Sequence, residues 1–581
     1  MCVIRQGAVA FLAMIGAFMC ATVVSVMSQE KADVIFVNGD VYVGSRFIKG
    51  GKGFNVTVLP RAQAIAVLGD RILAVGTLES MKKIRNKKTP IVDLGGKFVM
   101  PGFNDAHLHL AGGGFERLNV SLVGTKSLVE MQSRIAGKVK SAAPGEWIQG
   151  RGWDHTKWTD QKLPTRQDLD GVTYDHPAIF GRVDGHISVA NSAALKLAGI
   201  TRATKDPPGG KIDRDTKGEP TGILRESPAE DLVISKIPRP TPSQRKRAME
   251  LVLEEAAKWG VSSAQDNSEW EDFLALEDLQ REGKLTVRVT EWLKFDDPLD
   301  LLTKRRASHS GTDPMLHTGM LKGYMDGSLG SRTAALMKPY SDDPKNLGLP
   351  QYEQARLNQM ARERVAAGFQ LGFHAIGDRA AEMALSAFAE AQRYARENAS
   401  FGKKRGDWRL RIEHDQVITS EQFARFAELG VIASMQPNHL LTDMNWAQSR
   451  VGAERAKTSY AWKKFLDSGV TVAFGTDFPV EPITPFRGLY AAVTRENEAG
   501  TAEYFPDQKL TIDEAIAAYT TGAAYAEFAE LDKGTLEQGK LADFVVLDRD
   551  ITKATPAEIL ETKVLRTVVG GKTVYGSGIL Q

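Results

Sequence analysis

Phe369 to His374, FQLGFH, is a short apolar run that leads through Gly377-Asp378-Arg379 into Ala381, Ala384, Leu385 and Phe388 at helical spacing. A strand followed by an amphipathic helix is a βα unit. Outward from it the pattern repeats at Leu410 to His414, Val431 to Gln436 and Val470 to Asp477. Helical stretches over Glu421–Leu429 and Ala461–Asp467 precede the last two strands. Repeated units of this kind predict parallel strands in a barrel or a doubly wound sheet.

The flanks read differently. Ala32 to Tyr42 (ADVIFVNGDVY) and Ala62 to Val75 (AQAIAVLGDRILAV) are β-branched runs broken by Asn-Gly and Gly-Asp. The texture returns in Lys540 to Leu547 and in Val564 to Tyr575, the latter broken by Gly570-Gly571. Short strands at both ends predict one β-sandwich assembled from residues 29–98 and 536–581. The stretch from about 112 to 242 holds Gly-, Pro- and Trp-containing loops with no steady period. It reads as an α+β cap inserted into the barrel-sized segment 99–535.

Composition narrows the function. The 581 residues carry 74 Lys+Arg against 72 Asp+Glu, a net charge of +2, which gives no general attraction to polyphosphate and excludes a nucleic-acid partner. Met1 to Gln29 has Arg5 as its only charge and an apolar run from Gly7 to Met27. Two readings stand for residues 1–28: a cleaved signal peptide, giving periplasmic or extracellular export, and an uncleaved anchor, since the run approaches the roughly 20 residues that span a bilayer. Both cysteines, Cys2 and Cys20, lie in this segment, so residues 29–581 contain no thiolate ligand and any metal there is held by N and O donors.

The chemistry begins at Pro101-Gly102-Phe103-Asn104-Asp105-Ala106-His107-Leu108-His109. Alternate side chains of an extended strand share a face, so His107 and His109 can offer two imidazoles to one ion. Lys322, His374, His414 and Asp477 each stand at the C-terminal end of a predicted strand, where the strands of a β/α barrel converge. The donor set suits zinc first, with manganese, iron or cobalt also compatible. His439, after Met435-Gln436-Pro437-Asn438, marks a further strand end suited to polarising a carbonyl.

As a set, PGFNDAHLHL, GRGWD, RVDGHISVANSAAL, MDGSLGSRTA, FHAIGDRA, RIEHDQV, MQPNHL, FGTDFPVEP and GTLEQGKLADFVVLD resemble the amidohydrolase superfamily. Within it the likeness is to the family-3, YtcJ-like branch that includes N-substituted formamide deformylases. The resemblance implies a TIM-like (β/α) barrel with His107, His109 and Asp477 on one divalent ion and His374 and His414 on a second. It also implies Lys322 as a carbamate bridging the two, because an ammonium has no acceptor whereas a carbamate has two anionic oxygens. A one-ion site on His107, His109, His374 or His414, and Asp477 is the simpler arrangement. Catalytic roles would fall to Asp477 as proton carrier for a metal-activated water, with His439 and His186 beside the substrate.

Substrate contacts are expected at Trp153, Arg182, Glu226 and Arg332. Each has a structural alternative: the core of the cap for Trp153 and Trp158, a surface position for the Arg182-Val183-Asp184-Gly185-His186 loop, a salt bridge to Arg225 for Glu226, and an internal ion pair for Arg332. The implied reaction is hydrolysis of a non-peptide carbon–nitrogen bond in a small-molecule amide. Cyclic amide cleavage or deamination is the alternative on the same barrel, and a non-catalytic binding protein is the alternative outside enzymology. A homodimer is the expected association, since barrels of this kind often pair.

Overall fold

The computed structural model describes residues 30–51, 53–182, 187–309, 313–398 and 406–576. The segment expected to be a signal or anchor, His186 and Asp184 therefore lie outside the described residues. Among the described residues, no helix is long and apolar enough to cross a membrane.

Eight strands form the central sheet: β1 (Phe103–Leu108), β2 (Val261–Asp266), β3 (Arg288–Lys294), β4 (Leu316–Tyr324), β5 (Leu371–Ala375), β6 (Arg411–His414), β7 (Ile432–Met435) and β8 (Val472–Phe474). They pair in chain order, every neighbour parallel. The open side between β8 and β1 is closed just beyond the strands, where the Asp477 N–H donates to the His107 carbonyl at 2.7 Å. Gly475 permits this approach, since a Cβ there would stand 2.4 Å from the His107 nitrogen. The result is a nearly closed barrel, the first of the two arrangements that the βα units allow and the one that the family resemblance implies.

Helices cover the outside of the barrel. In Asp378–Glu397, Ala381, Ala384, Leu385 and Phe388 form the buried stripe read from the sequence. Ser420–Leu429 starts in a capping box between Thr419 and Gln422 and stops at Gly430, whose φ of 63° favours glycine. Such helices return the chain to the same face of the barrel, so that all the strand C-termini open on one mouth.

The sandwich is built from both ends of the chain. One sheet orders Arg71–Gly76, Ala64–Leu68, Val34–Val37 and Ile91–Asp93; the other orders Asp40–Val41, Phe98–Pro101, Phe544–Leu547, Val564–Val569 and Lys572–Tyr575. Phe36, Ile65, Val67, Val99, Phe544, Val546 and Val568 interlock between them, with Phe36 edge-on to Phe544 at 4.9 Å. The layer extends beyond the boundary expected at residue 98, because Phe98–Pro101 pairs with Phe544–Leu547 before the chain enters β1.

The cap lies between helices Leu110–Leu118 and Pro242–Lys258. It contains a six-stranded mixed sheet flanked by Leu128–Val139, Arg166–Thr173, Ser192–Leu197 and Ser227–Ile234. All six of its strands are six residues or shorter, and parallel and antiparallel neighbours are mixed, so no repeated strand–helix unit marked them in the sequence.

Candidate metal centre

His107, His414 and Asp477 are buried, and one donor atom from each lies within 4.8 Å of the others. His109 Nε2 is 3.1 Å from Asp477 Oδ1, and Lys322 Nζ is 3.2 Å from His107 Nε2. The His374 ring stands 4.5 Å from that of His414, and His439 Nε2 is 3.3 Å from Asp477 Oδ2. The structure therefore brings together His107, His109, Lys322, His374, His414, His439 and Asp477. His414 and Asp477 hold left-handed backbone at φ 83° and 57°, conformations that cost free energy in non-glycine residues.

The second nitrogen of each imidazole is occupied. His107 Nδ1 meets Glu413 Oε2 at 2.7 Å, His109 Nδ1 the Asn267 carbonyl at 2.9 Å, His374 Nε2 the Gly327 carbonyl at 3.1 Å, and His414 Nδ1 the Gln436 Oε1 at 2.8 Å. Each of these oxygens takes the ring proton, leaving a lone pair on the other nitrogen, as a metal-ligating histidine requires. Burial pushes His107 down to about 4 and His374 to about 3, and holds His414 well below its ordinary value, so these rings are neutral donors near pH 7. Although burial opposes its charge, Asp477 is held well below the usual carboxylate range by His107, His109 and His439. Neutral imidazoles around an ionised carboxylate, with no sulfur, fit a divalent ion of the zinc class.

Burial also moves Lys322, down to about 8, against the opposing charges of Glu413 and Asp477. Its Nζ sits 5.2 Å from the Trp292 ring and 5.1 Å from that of Tyr324. Asp477 outweighs burial at His439 and raises that imidazole to about 9.

The residues expected around the substrate divide. Arg182 lines a cavity of about 780 Å³ between cap and barrel, which reaches Phe478 and Pro479 beside Asp477; its guanidinium donates to Asp154 at 3.0 Å. Trp153 does not line it. Fully buried, it packs in the cap core with Trp158 and donates its indole N–H to the Phe180 carbonyl at 2.8 Å. Arg332 makes the internal ion pair that was its structural alternative, its Nε and Nη2 donating to Asp342 at 3.1 and 3.0 Å. Glu226 is exposed at the start of helix Ser227–Ile234, and Arg225 pairs instead with Asp213.

Sequence reasoning missed Asn267, Tyr324, Arg411, Glu413 and Gln436. Tyr324 was accessible to it, since it stands two residues beyond Lys322 on a predicted strand end. The Tyr324 hydroxyl accepts from Asn267 Nδ2 at 2.6 Å, which leaves its own proton to donate at the mouth.

Behind the barrel wall, Asp266 and Glu291 form a buried carboxyl pair. Burial pushes both upward, Asp266 to about 6 and Glu291 further, because Asp266 raises Glu291 again while the proton Glu291 shares holds Asp266 down. Asp266 accepts from the Leu110 N–H at 2.7 Å and Glu291 from the Ser268 N–H at 3.2 Å, so the pair anchors the entry to two helices. Carboxyls raised on folding contribute stability that is full at low pH and lost as pH rises through their folded values. Glu291→Gln keeps the acceptor and supplies a permanent donor. The advantage of the variant over wild type is expected to grow by about 1–3 kcal/mol between pH 4 and pH 8 in urea denaturation; a difference that stays constant with pH would refute the shared proton.

The profile of the amidohydrolase family matches residues 90–575, and the chain belongs to that family. It is 32% identical over 556 residues to Protein LONG AFTER FAR-RED 3 of Arabidopsis thaliana, covering 94% of this chain and 92% of the relative. It is 28% identical over 529 residues to an N-substituted formamide deformylase of Arthrobacter pascens, covering 88% and 95%. Among solved structures, an uncharacterized metal-dependent hydrolase of Pyrococcus furiosus superposes with a TM-score of 0.72 at 31% identity, over 89% of this chain and 99% of that one. Metal-dependent hydrolysis is thus the class that the family and the barrel define.

Proposed function

We propose that the protein hydrolyses a non-peptide carbon–nitrogen bond in a small-molecule amide, of which N-substituted formamides and N-acyl compounds are the favoured examples. The observation that carries this reading is the buried cluster of His107, His414 and Asp477 at the barrel mouth, completed by His109, His374 and Lys322. The deformylase relative supports the choice of an amide. His107, His109 and Asp477 would hold one divalent ion and His374 and His414 a second, with zinc the preferred metal. Such an ion supplies acidification of water and polarisation of the scissile carbonyl.

The chain's own groups supply the rest. Asp477, ionised and buried, accepts a proton from water and returns it to the departing nitrogen. His439, 3.3 Å from that carboxylate, and Tyr324, with a free hydroxyl proton, are the donors placed to orient the substrate carbonyl. The neutral amine of Lys322 is the form that condenses with carbon dioxide, and burial makes that form accessible near pH 8. A panel of formamides, N-acyl amines, cyclic amides and aryl amines, assayed for formate, acyl acid, ring-opened acid and ammonia, tests the reading. Release of none of these by metal-loaded protein would defeat it.

For the bridge, zinc-loaded protein grown with bicarbonate is expected to hold two ions per chain by elemental analysis, and Lys322→Ala to hold one or fewer. Equal metal content in the two proteins would remove Lys322 from the ligand set.

A further inference from the structure

Beneath the metal cluster the barrel axis is charged where aliphatic layers are usual. Strand β6 reads Arg411-Ile412-Glu413-His414, so Arg411 and Glu413 share its inward face. Arg411 is 1% exposed. It donates Nε to Glu413 Oε1 at 2.6 Å, Nη1 to Gln265 Oε1 at 2.5 Å, and Nη2 to the Ala106 carbonyl at 2.7 Å and Ser434 Oγ at 2.6 Å. One guanidinium thereby grips β1, β2, β6 and β7 directly under His107. The other oxygen of Glu413 faces His107 Nδ1 at 2.7 Å. Trp292 closes the remaining side, its ring 5.0 Å from His107 and 5.2 Å from the Arg411 guanidinium.

We propose that Arg411 and Glu413 are positioning residues that lock His107 as its Nδ1–H tautomer and aim Nε2 at the ion. A neutral imidazole carries one proton, and the carboxylate at Nδ1 keeps it there. Arg411 holds the other oxygen of Glu413 at 2.6 Å, so the carboxylate cannot turn away from the ring. The hold on the Ala106 carbonyl fixes the backbone immediately before His107, so the ring is set in both rotation and height. This inference rests on the metal-dependent reading above.

The test uses the full chain stripped of metal and titrated with zinc against a chelator of known affinity, alongside urea denaturation. The proteins are wild type, Glu413→Leu, Arg411→Met and the double variant Arg411→Met/Glu413→Leu. Glu413→Leu, which has no acceptor for the His107 ring proton, is expected to bind zinc about 10–100-fold more weakly than wild type. The double variant, with no uncompensated buried charge, is expected to recover stability relative to Glu413→Leu while its zinc affinity stays low. Wild-type zinc affinity in Glu413→Leu overturns the inference alone, as does affinity that returns together with stability in the double variant. A wild-type chain that binds no zinc, manganese, cobalt or iron overturns the metal reading and this inference together.

Discussion

Asp477→Asn is expected to lower kcat by about 10²–10⁴-fold on any amide the wild type hydrolyses, the range that general acid–base catalysis supplies. The geometry gives the reason. Asp477 is the carboxylate on which the site converges, with His109 Nε2 at 3.1 Å, His439 Nε2 at 3.3 Å and His107 Nε2 at 3.5 Å. Its carboxyl stays ionised far below neutrality, so it is ready to accept a proton throughout the range in which amide hydrolysis would be assayed. Asparagine keeps the size and one oxygen donor and removes the basicity. Elemental analysis of the same preparation separates the two roles, since loss of metal would report a lost ligand and retention would report a lost base. More than a tenth of wild-type kcat in Asp477→Asn would exclude the residue from proton transfer.

How much of this was legible in the sequence follows from where periodicity survives. The barrel was, because strands such as Leu371–Ala375 are followed by long helices whose buried stripes repeat every third or fourth residue. Strand-end residues were legible for the same reason: once a strand is placed, its last side chain is placed with it. His107, Lys322, His374, His414 and Asp477 then converge by topology alone. The partners that tune them were not. Asn267 and Gln436 act from loops just past β2 and β7, and nothing in a loop fixes where a side chain points. Arg411 and Glu413 did leave a mark, two opposite charges at alternate positions of an otherwise buried strand. Such a pair is stable inside only when it satisfies itself, which is a signal of an internal polar network. In the cap, the neighbours of Trp153 offered composition without period, and composition alone could not tell a core tryptophan from one that walls a pocket.

A second large effect is expected far from the mouth. Asp543→Ala should lower the free energy of unfolding by about 3–5 kcal/mol, the cost of leaving a buried charge without its partner. Asp543 lies in the sandwich, and its carboxylate takes Nε and Nη2 of Arg288, at the base of β3, at 2.6 and 2.9 Å. The same carboxylate accepts the Gly570 N–H at 2.8 Å, at the turn between Val564–Val569 and Lys572–Tyr575. Both side chains are at most 5% exposed. The pair is therefore the joint by which a sheet made from the chain's two ends is fastened to the barrel it encloses. Removing the carboxylate strands the guanidinium and frees the hairpin turn at once, whereas Arg288→Met/Asp543→Leu removes both charges and should regain much of the loss. The first transition in urea, followed by tryptophan fluorescence, reads the difference. If Asp543→Ala unfolds within 1 kcal/mol of wild type by that measure, the sandwich is held to the barrel by its apolar surface, and the buried pair contributes orientation only.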